Sequence, residues 1–199
     1  MGYSVEMRYF VMKIWSLIDS IYYSISRLQY IKQENGLPSI FRVRITKYKG
    51  HKVVLSDGTS VYKNDILVKI HLHNIRILKE TQPINGDIKK AMFVYKEVEK
   101  SLPYLASYIQ NHCRRDDIKA IIGITMINKG TKKLGFESYS IYNRLYRKCK
   151  QLIQYPIFFL SHPGQTKSIR DKPYPVYLFM SKKILFEKYQ ENVSSSKYS

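Results

Sequence analysis

The chain has 199 residues, 44% of them apolar and 25% charged, which suits one domain with its own core and argues against disorder. Thirty-four Lys and Arg face fifteen Asp and Glu, a net charge of +19 that favours polyanionic partners: nucleic acid, anionic lipid headgroups or phosphate-rich wall polymers. Cys113 and Cys149 lack a CxxC spacing, which excludes a disulfide framework, and no stretch reads as a secretory leader or a bilayer span, so the expected location is cytoplasmic, peripheral at the membrane.

In chain order, Phe10, Ile14, Leu17, Ile18, Ile21, Ile25 and Leu28 recur at three- and four-residue steps and predict an amphipathic helix over 7–32, stopped by Asn35-Gly36-Leu37-Pro38. That helix is expected either to pack on a sheet or to lie as an interfacial anchor, with Arg8, Lys13, Arg27 and Lys32 beside anionic lipid. In 40–46, Phe41, Val43 and Ile45 alternate with Arg42, Arg44 and Thr46, a strand with an apolar inner and a basic outer face. Strands follow at 51–55 and 60–62 around the tight-turn pair Asp57-Gly58, and at 66–73. Asp87 is the expected cap of a helix carrying Ile88, Ala91, Met92, Tyr95, Val98 and Leu102, and Pro103 is expected to open a second helical piece ending near His112. Residues 119–127 form a buried strand. Tyr142, Leu145, Tyr146, Cys149, Leu152 and Ile153 mark the core stripe of another long helix, with Cys149 as a small buried hydrophobe. A polar loop at 161–174, a strand at 175–180 and a short helix capped by Ser181 complete a single domain over 1–190, and 191–199 reads as a disordered, serine-rich tail.

Residue types that carry chemistry are few. His71 and His73 share one strand face, with Asn74 next, but no third ligand accompanies them, so no metal is expected. His162 sits in a Gly/Pro loop without a nucleophile elbow, and no GxGxxG, Walker, HExxH or EF-hand pattern calls for a cofactor. An enzyme, if a transferase, would build its pocket from His71, His73, Asn74, Thr125 and His162. Basic residues cluster at Arg42, Arg44, Lys47, Lys49 and Lys52, again at Lys129, Lys132 and Lys133, and on one helix at Arg144, Arg147, Lys148 and Lys150. Tyr48, Tyr142 and Tyr146 interleave with them, as on surfaces that stack bases or rest on headgroups, but no RNP, KH or helix-turn-helix pattern is present.

Four stretches together resemble a known family. They are Leu55-Ser-Asp-Gly-Thr-Ser-Val61 leading to Asp65 and Ile70-His71-Leu72-His73-Asn74; the helix 96–105 with Glu97, Ser101 and Leu102; Ile122-Gly-Ile-Thr125 leading to Lys129-Gly130 and Leu134-Gly135-Phe136; and Tyr177-Leu-Phe-Met-Ser181. In this order they are similar to the YkoP-like domain of spore-forming Gram-positive bacteria, over about 10–190. The aspartate usual in that family between His and Asn is His73 here. The resemblance implies a domain found alone or attached to polysaccharide deacetylases, in the company of spore or envelope carbohydrate metabolism, and it carries over no catalytic residues.

The expected fold is α+β, one mixed or largely antiparallel sheet with three main helices. The expected function is a binding or accessory domain for anionic, phosphate-bearing envelope ligands, an anionic lipid or wall polymer. The alternatives are the transferase described above and a nucleic-acid binder. The oligomeric state is not fixed by the sequence.

Overall fold

Alternating side chains build the centre of the fold. A computed structural model describes residues 13–14, 16–20, 23–24, 26–33, 36–126, 130–161 and 174–190, with the side chains of 155–161 left aside. The strands are β1 (Gln29–Lys32), β2 (Pro38–Lys47), β3 (Val53–Val54), β4 (Ser60–Val61), β5 (Ile66–Leu72), β6 (Ile118–Thr125), β7 (Glu137–Ser140) and β8 (Val176–Ser181). Six of them form one sheet in the order β1-β2-β5-β6-β8-β7, while β3 and β4 form a separate hairpin. All neighbours in the large sheet are antiparallel except β5 and β6, which are parallel because the chain between them crosses over through helices. The chain thus forms the expected α+β class around a largely antiparallel mixed sheet.

The helices are α1 (helical at 13–14, 16–20, 23–24 and 26), α2 (Asn74–Thr81), α3 (Asp87–Gln110), α4 (Arg144–Ser161) and α5 (Lys182–Tyr189). The first helix ends earlier than its periodicity predicts. Arg27 takes a left-handed φ of 52°, a common way to terminate a helix, and 29–32 pair with β2 as an edge strand. Ile31 is therefore buried as a strand residue, and Leu28 in the connection just before it, rather than on a helix stripe. Gly36, at φ 74°, then closes the β1–β2 hairpin, with Gln33 N–H donating to Leu37 O at 2.8 Å.

The break expected at Pro103 is absent. Helix α3 runs through Pro103 without interruption. An interior proline forfeits one backbone hydrogen bond and costs about 3 kcal/mol. Leu102, Leu105, Ala106 and Ile109, all fully buried around it, offset this at roughly 1.5–3 kcal/mol for each large side chain. Gly86 rather than Asp87 holds the N-cap position, and Ile88 and Met92 are exposed, so only the later turns of α3 cover the sheet. Helix α2 and strand β7 escape the sequence pattern because α2 has 8 residues and β7 has 4.

The two sheet faces differ. On one face Phe41, Val43, Val68, Ile121, Leu178 and Met180 meet Leu102, Leu105, Ala106 and Ile109 of α3 and Leu185 of α5 in the main core. On the other, one end carries a second core of Leu67, Ala120, Ile122 and Phe179 under Val53, Leu55 and Val61 of the hairpin. The stretch Leu55–Val61 clips this hairpin in place. Asp57 accepts from Thr59 N–H at 3.0 Å and from Ser181 Oγ at 2.6 Å, and Ser181 Oγ in turn accepts from Ile184 N–H to cap α5 as expected. Glu137 of β7 accepts from the Ser56 N–H and hydroxyl, and the Tyr139 hydroxyl donates to Val54 O at 2.7 Å. The serine, aspartate and threonine of this motif thus serve the architecture.

Candidate functional site

The rest of that second face is polar, and it holds most of the histidines and arginines that the sequence singles out. Register places Arg42 opposite His71 and Arg44 opposite Lys69 across β2 and β5. Directly opposed residues share a face, with Cβ atoms about 4.5–5.5 Å apart. His73, two residues beyond His71, follows on the same side and meets the Tyr30 ring edge-on at 5.5 Å.

Helices α1 and α4 lie over this strip. From α1, Asp19 receives both terminal nitrogens of Arg42 at 2.8 Å, and the Ser26 carbonyl accepts from Arg44 Nη1 at 3.3 Å. The Arg42 guanidinium also lies 5.1 Å from the Tyr23 ring and 4.9 Å from that of Tyr30. Arg42 is therefore buried and has its charge met inside the protein.

From α4 the side chains turned to the sheet are Arg147, Lys150, Gln151 and Gln154, spaced i, i+3, i+4 and i+7. Gln154 Nε2 donates to Ile124 O at 3.1 Å, and Gln151 is buried. This reverses the expected orientation. Tyr142, Leu145, Cys149, Leu152 and Ile153, expected as the core stripe, are exposed. The physical reason lies beneath the helix: a sheet strip made of Arg44, Lys69 and His71 offers nothing for an apolar stripe to bury against, and the polar stripe faces it instead.

Arg44, Lys69, His71 and Lys150 thus share a half-buried space. Burial, then the charges of Lys150 and Arg44, pull the Lys69 ammonium from its usual 10.5 to about 8. Burial also lowers Lys150, with Arg44 adding to the effect. His71 is pushed down to about 3 by burial and then by Lys69, Arg44, Lys150 and Arg42. His73 falls to about 4, by burial and then Arg42, with Asp19 opposing. Among the described residues no carboxylate acts on Lys69 or Lys150. The buried Nε atoms of Arg44 and Arg147 have no hydrogen-bond partner among those residues, and Arg147 rests 4.5 Å from the Tyr174 ring.

The His71 shift has a measurable consequence. The unfolded chain takes up a proton near pH 6.5 that folded His71 refuses until about 3. The unfolded state therefore binds more protons in that window, and stability falls as pH drops through it. Urea midpoints at pH 7, 5.5 and 4.5 are expected to decline for the wild type and to decline less for His71→Gln; equal declines would show that His71 does not drive the loss.

The other candidates are dispersed. Thr125 ends β6, opposite Val176, and alternation puts it on the sheet face away from His71. Asn74 opens α2, and His162 lies outside the described residues. Lys47 and Lys49 are exposed at the end of β2, Lys132 and Lys133 are exposed on the short 3-10 turn Thr131–Leu134, and Arg144 and Lys148 are exposed at the start of α4. Lys129 also lies outside the described residues. Among the described residues no group of three or more His, Cys, Asp or Glu gathers to hold a metal, and no helix is long and apolar enough to cross a membrane. Sequence reasoning passed over Lys69. Its signal was the repeated basic pair at i, i+2, Arg42 with Arg44 and Lys69 with His71, which one register sets side by side.

No solved structure matches the chain. A Bacillus subtilis (strain 168) protein described as "Uncharacterized protein YkoP" is 47% identical over 180 residues, covering 90% of this chain and 96% of the relative. The YkoP domain family matches residues 8–189, a span that takes in the clipped hairpin, the polar strip and the last helix. With the family match and the relative agreeing over nearly its whole length, the chain belongs to the YkoP domain family.

Proposed function

We propose that the protein is a binding domain for a phosphate-bearing ligand, held in the strip formed by Arg44, Lys69, His71 and Lys150. The observation that carries this reading is the gathering of these groups in one half-buried space, where no carboxylate among the described residues acts on the Lys69 and Lys150 ammonium groups. Holding like charges together there works against folding. A phosphate oxyanion relieves the repulsion and offers acceptors to the Lys69 and Lys150 ammonium groups and to the Arg44 Nε, which has no partner among the described residues. Lys69 and His71 keep partial exposure, so the strip is open to a ligand. Neutral His71 supplies a hydrogen bond rather than a charge. The source we favour is an envelope or membrane component bearing phosphate. A transferase built on the same histidines has less support, because Thr125 lies on the sheet face away from His71.

The test is thermal unfolding with inorganic phosphate, pyrophosphate or glycerol phosphate at low and high salt. Ligand at about a hundred times Kd adds about 2.7 kcal/mol, which raises Tm by several degrees at this size. The shift is expected for the phosphates, absent with sulfate-free chloride alone, and reduced in high salt. No shift with any phosphate at millimolar concentration overturns the reading. A duplex oligonucleotide that binds far more tightly than the small phosphates would replace it with nucleic-acid binding.

A further inference from the structure

The orientation of α4 leaves a second feature to explain. A helix that covers a sheet normally turns its apolar stripe inward. Here Leu145 is 74% exposed, Leu152 66% and Ile153 55%, with Tyr142 and Cys149 exposed beside them. Helix α1 does the same with Ile14, Ile18 and Leu17, the last 66% exposed. Both helices sit on one side of the sheet, α1 through Asp19 and Ser26, α4 through Gln154. Their exposed apolar residues therefore form the outer surface of a single side of the molecule. Scattered exposed Leu or Ile residues are ordinary, but two neighbouring helices with exposed apolar stripes make an interaction surface.

Charge says what covers it. The described part of α4 has no acidic residue, and Arg144 and Lys148 stand exposed next to Leu145 and Leu152. Lys13 is exposed next to Ile14, and the acidic residue of the described part of α1, Asp19, is turned inward onto Arg42. The chain as a whole carries +19. An apolar surface edged by cations and without exposed carboxylates on α4 matches the headgroup region of an anionic bilayer, where apolar side chains enter the acyl boundary and lysines and arginines stay at the phosphates. A second copy of this chain would bring the same cations against each other.

We propose that the outer faces of α1 and α4 dock on an anionic lipid bilayer. The docking stands on the exposure and charge of the two helices. It rests on the reading of the strip only for its corollary, that a phosphate reaching Lys69 and Lys150 comes from the membrane side. Binding is expected to be peripheral, because the docking residues lie on the surface of a folded domain.

The experiment is co-sedimentation of the full chain with phosphatidylglycerol–phosphatidylcholine vesicles and with pure phosphatidylcholine vesicles, at low and physiological salt. Leu145→Glu/Leu152→Glu changes exposed side chains, and its pyrophosphate-induced Tm shift reports on folding and on the strip together. The wild type is expected to sediment with the anionic vesicles only, and the variant to bind them at least tenfold more weakly while keeping the pyrophosphate shift. Equal vesicle binding by variant and wild type overturns the docking, as does no binding of the wild type, or equal binding to neutral vesicles. Light scattering that shows a lipid-free dimer, made monomeric by the variant, overturns it in favour of a second copy. Face-dependent vesicle binding without any pyrophosphate shift in the wild type leaves the docking standing and removes the strip as the phosphate site.

Discussion

Replacing Lys69 by Met is expected to make the protein more stable at neutral pH and to weaken phosphate binding tenfold or more. The first effect follows from the ammonium group, which burial and the neighbouring Lys150 and Arg44 charges pull from 10.5 to about 8. That difference corresponds to about 3 kcal/mol of unfavourable charge at pH 7, and partial exposure reduces it to roughly 1–3 kcal/mol. Methionine has a similar length, no charge and enough flexibility to fill the space. The sign is testable by pH. Below about 8 both folded and unfolded Lys69 are protonated, and the folded state bears the whole penalty. Between about 8 and 10.5 the folded lysine is neutral while the unfolded one keeps its proton, so wild-type stability rises with pH. The advantage of Lys69→Met is therefore full at pH 7 and fades across that window. The binding loss follows from removing one charged donor, about 1.5–3 kcal/mol, or roughly 10–100-fold in Kd. Urea unfolding at pH 7 and 10 with pyrophosphate titration at pH 7 measures both. A variant less stable than the wild type at pH 7, or one that binds pyrophosphate unchanged, contradicts the account of the strip.

Such a trade of stability against binding explains why the strip was only half legible in the sequence. The basic outer face of β2 is readable from the alternation of Arg42 and Arg44 with Phe41, Val43 and Ile45. The tight hairpin at Asp57-Gly58, the buried strand around Ile121 and the Ser181 cap are readable for the same kind of local reason. The partner of the basic face was not readable, because periodicity reports which side of a helix is apolar, not which side meets the protein. In α4 two stripes compete: Leu145, Cys149 and Leu152 on one side, Arg147, Lys150, Gln151 and Gln154 on the other. Only knowledge that the sheet beneath is polar decides between them, and that depends on the β2–β5 register, a long-range fact. The same limit hid Lys69 in a strand that reads as apolar through its first half. The end of α1 was missed for a different reason. Leu28 and Ile31 fit a helical stripe and an edge strand equally well, and the deciding event is a left-handed Arg27 that no residue type announces.

The second large effect is expected at the opposite end of the strip. Asp19→Ala should destabilise the protein by about 3–5 kcal/mol, because it leaves Arg42 as an uncompensated buried charge. Arg42 is 4% exposed, and its two terminal nitrogens both donate to Asp19 at 2.8 Å. The ring faces of Tyr23 and Tyr30 remain in the variant, but a cation–π contact is worth roughly 0.5–2 kcal/mol and does not replace a carboxylate. Against a total stability of about 5–15 kcal/mol, the loss is large enough to read from a urea midpoint. The double variant Asp19→Ala/Arg42→Met removes both charges, and burying an uncharged chain between the two tyrosines should recover more than half of the loss. A single variant with the wild-type midpoint, or a double variant no more stable than the single one, would show that this pair does not hold α1 to the sheet. The double variant also separates two roles for arginine on β2. Arg42 is engaged by Asp19 and the tyrosines, whereas Arg44 keeps a buried Nε that has no hydrogen-bond partner among the described residues. Pyrophosphate binding should therefore survive Asp19→Ala/Arg42→Met within about threefold, since the double change removes one cation and one anion together and leaves the net charge beside the strip unchanged.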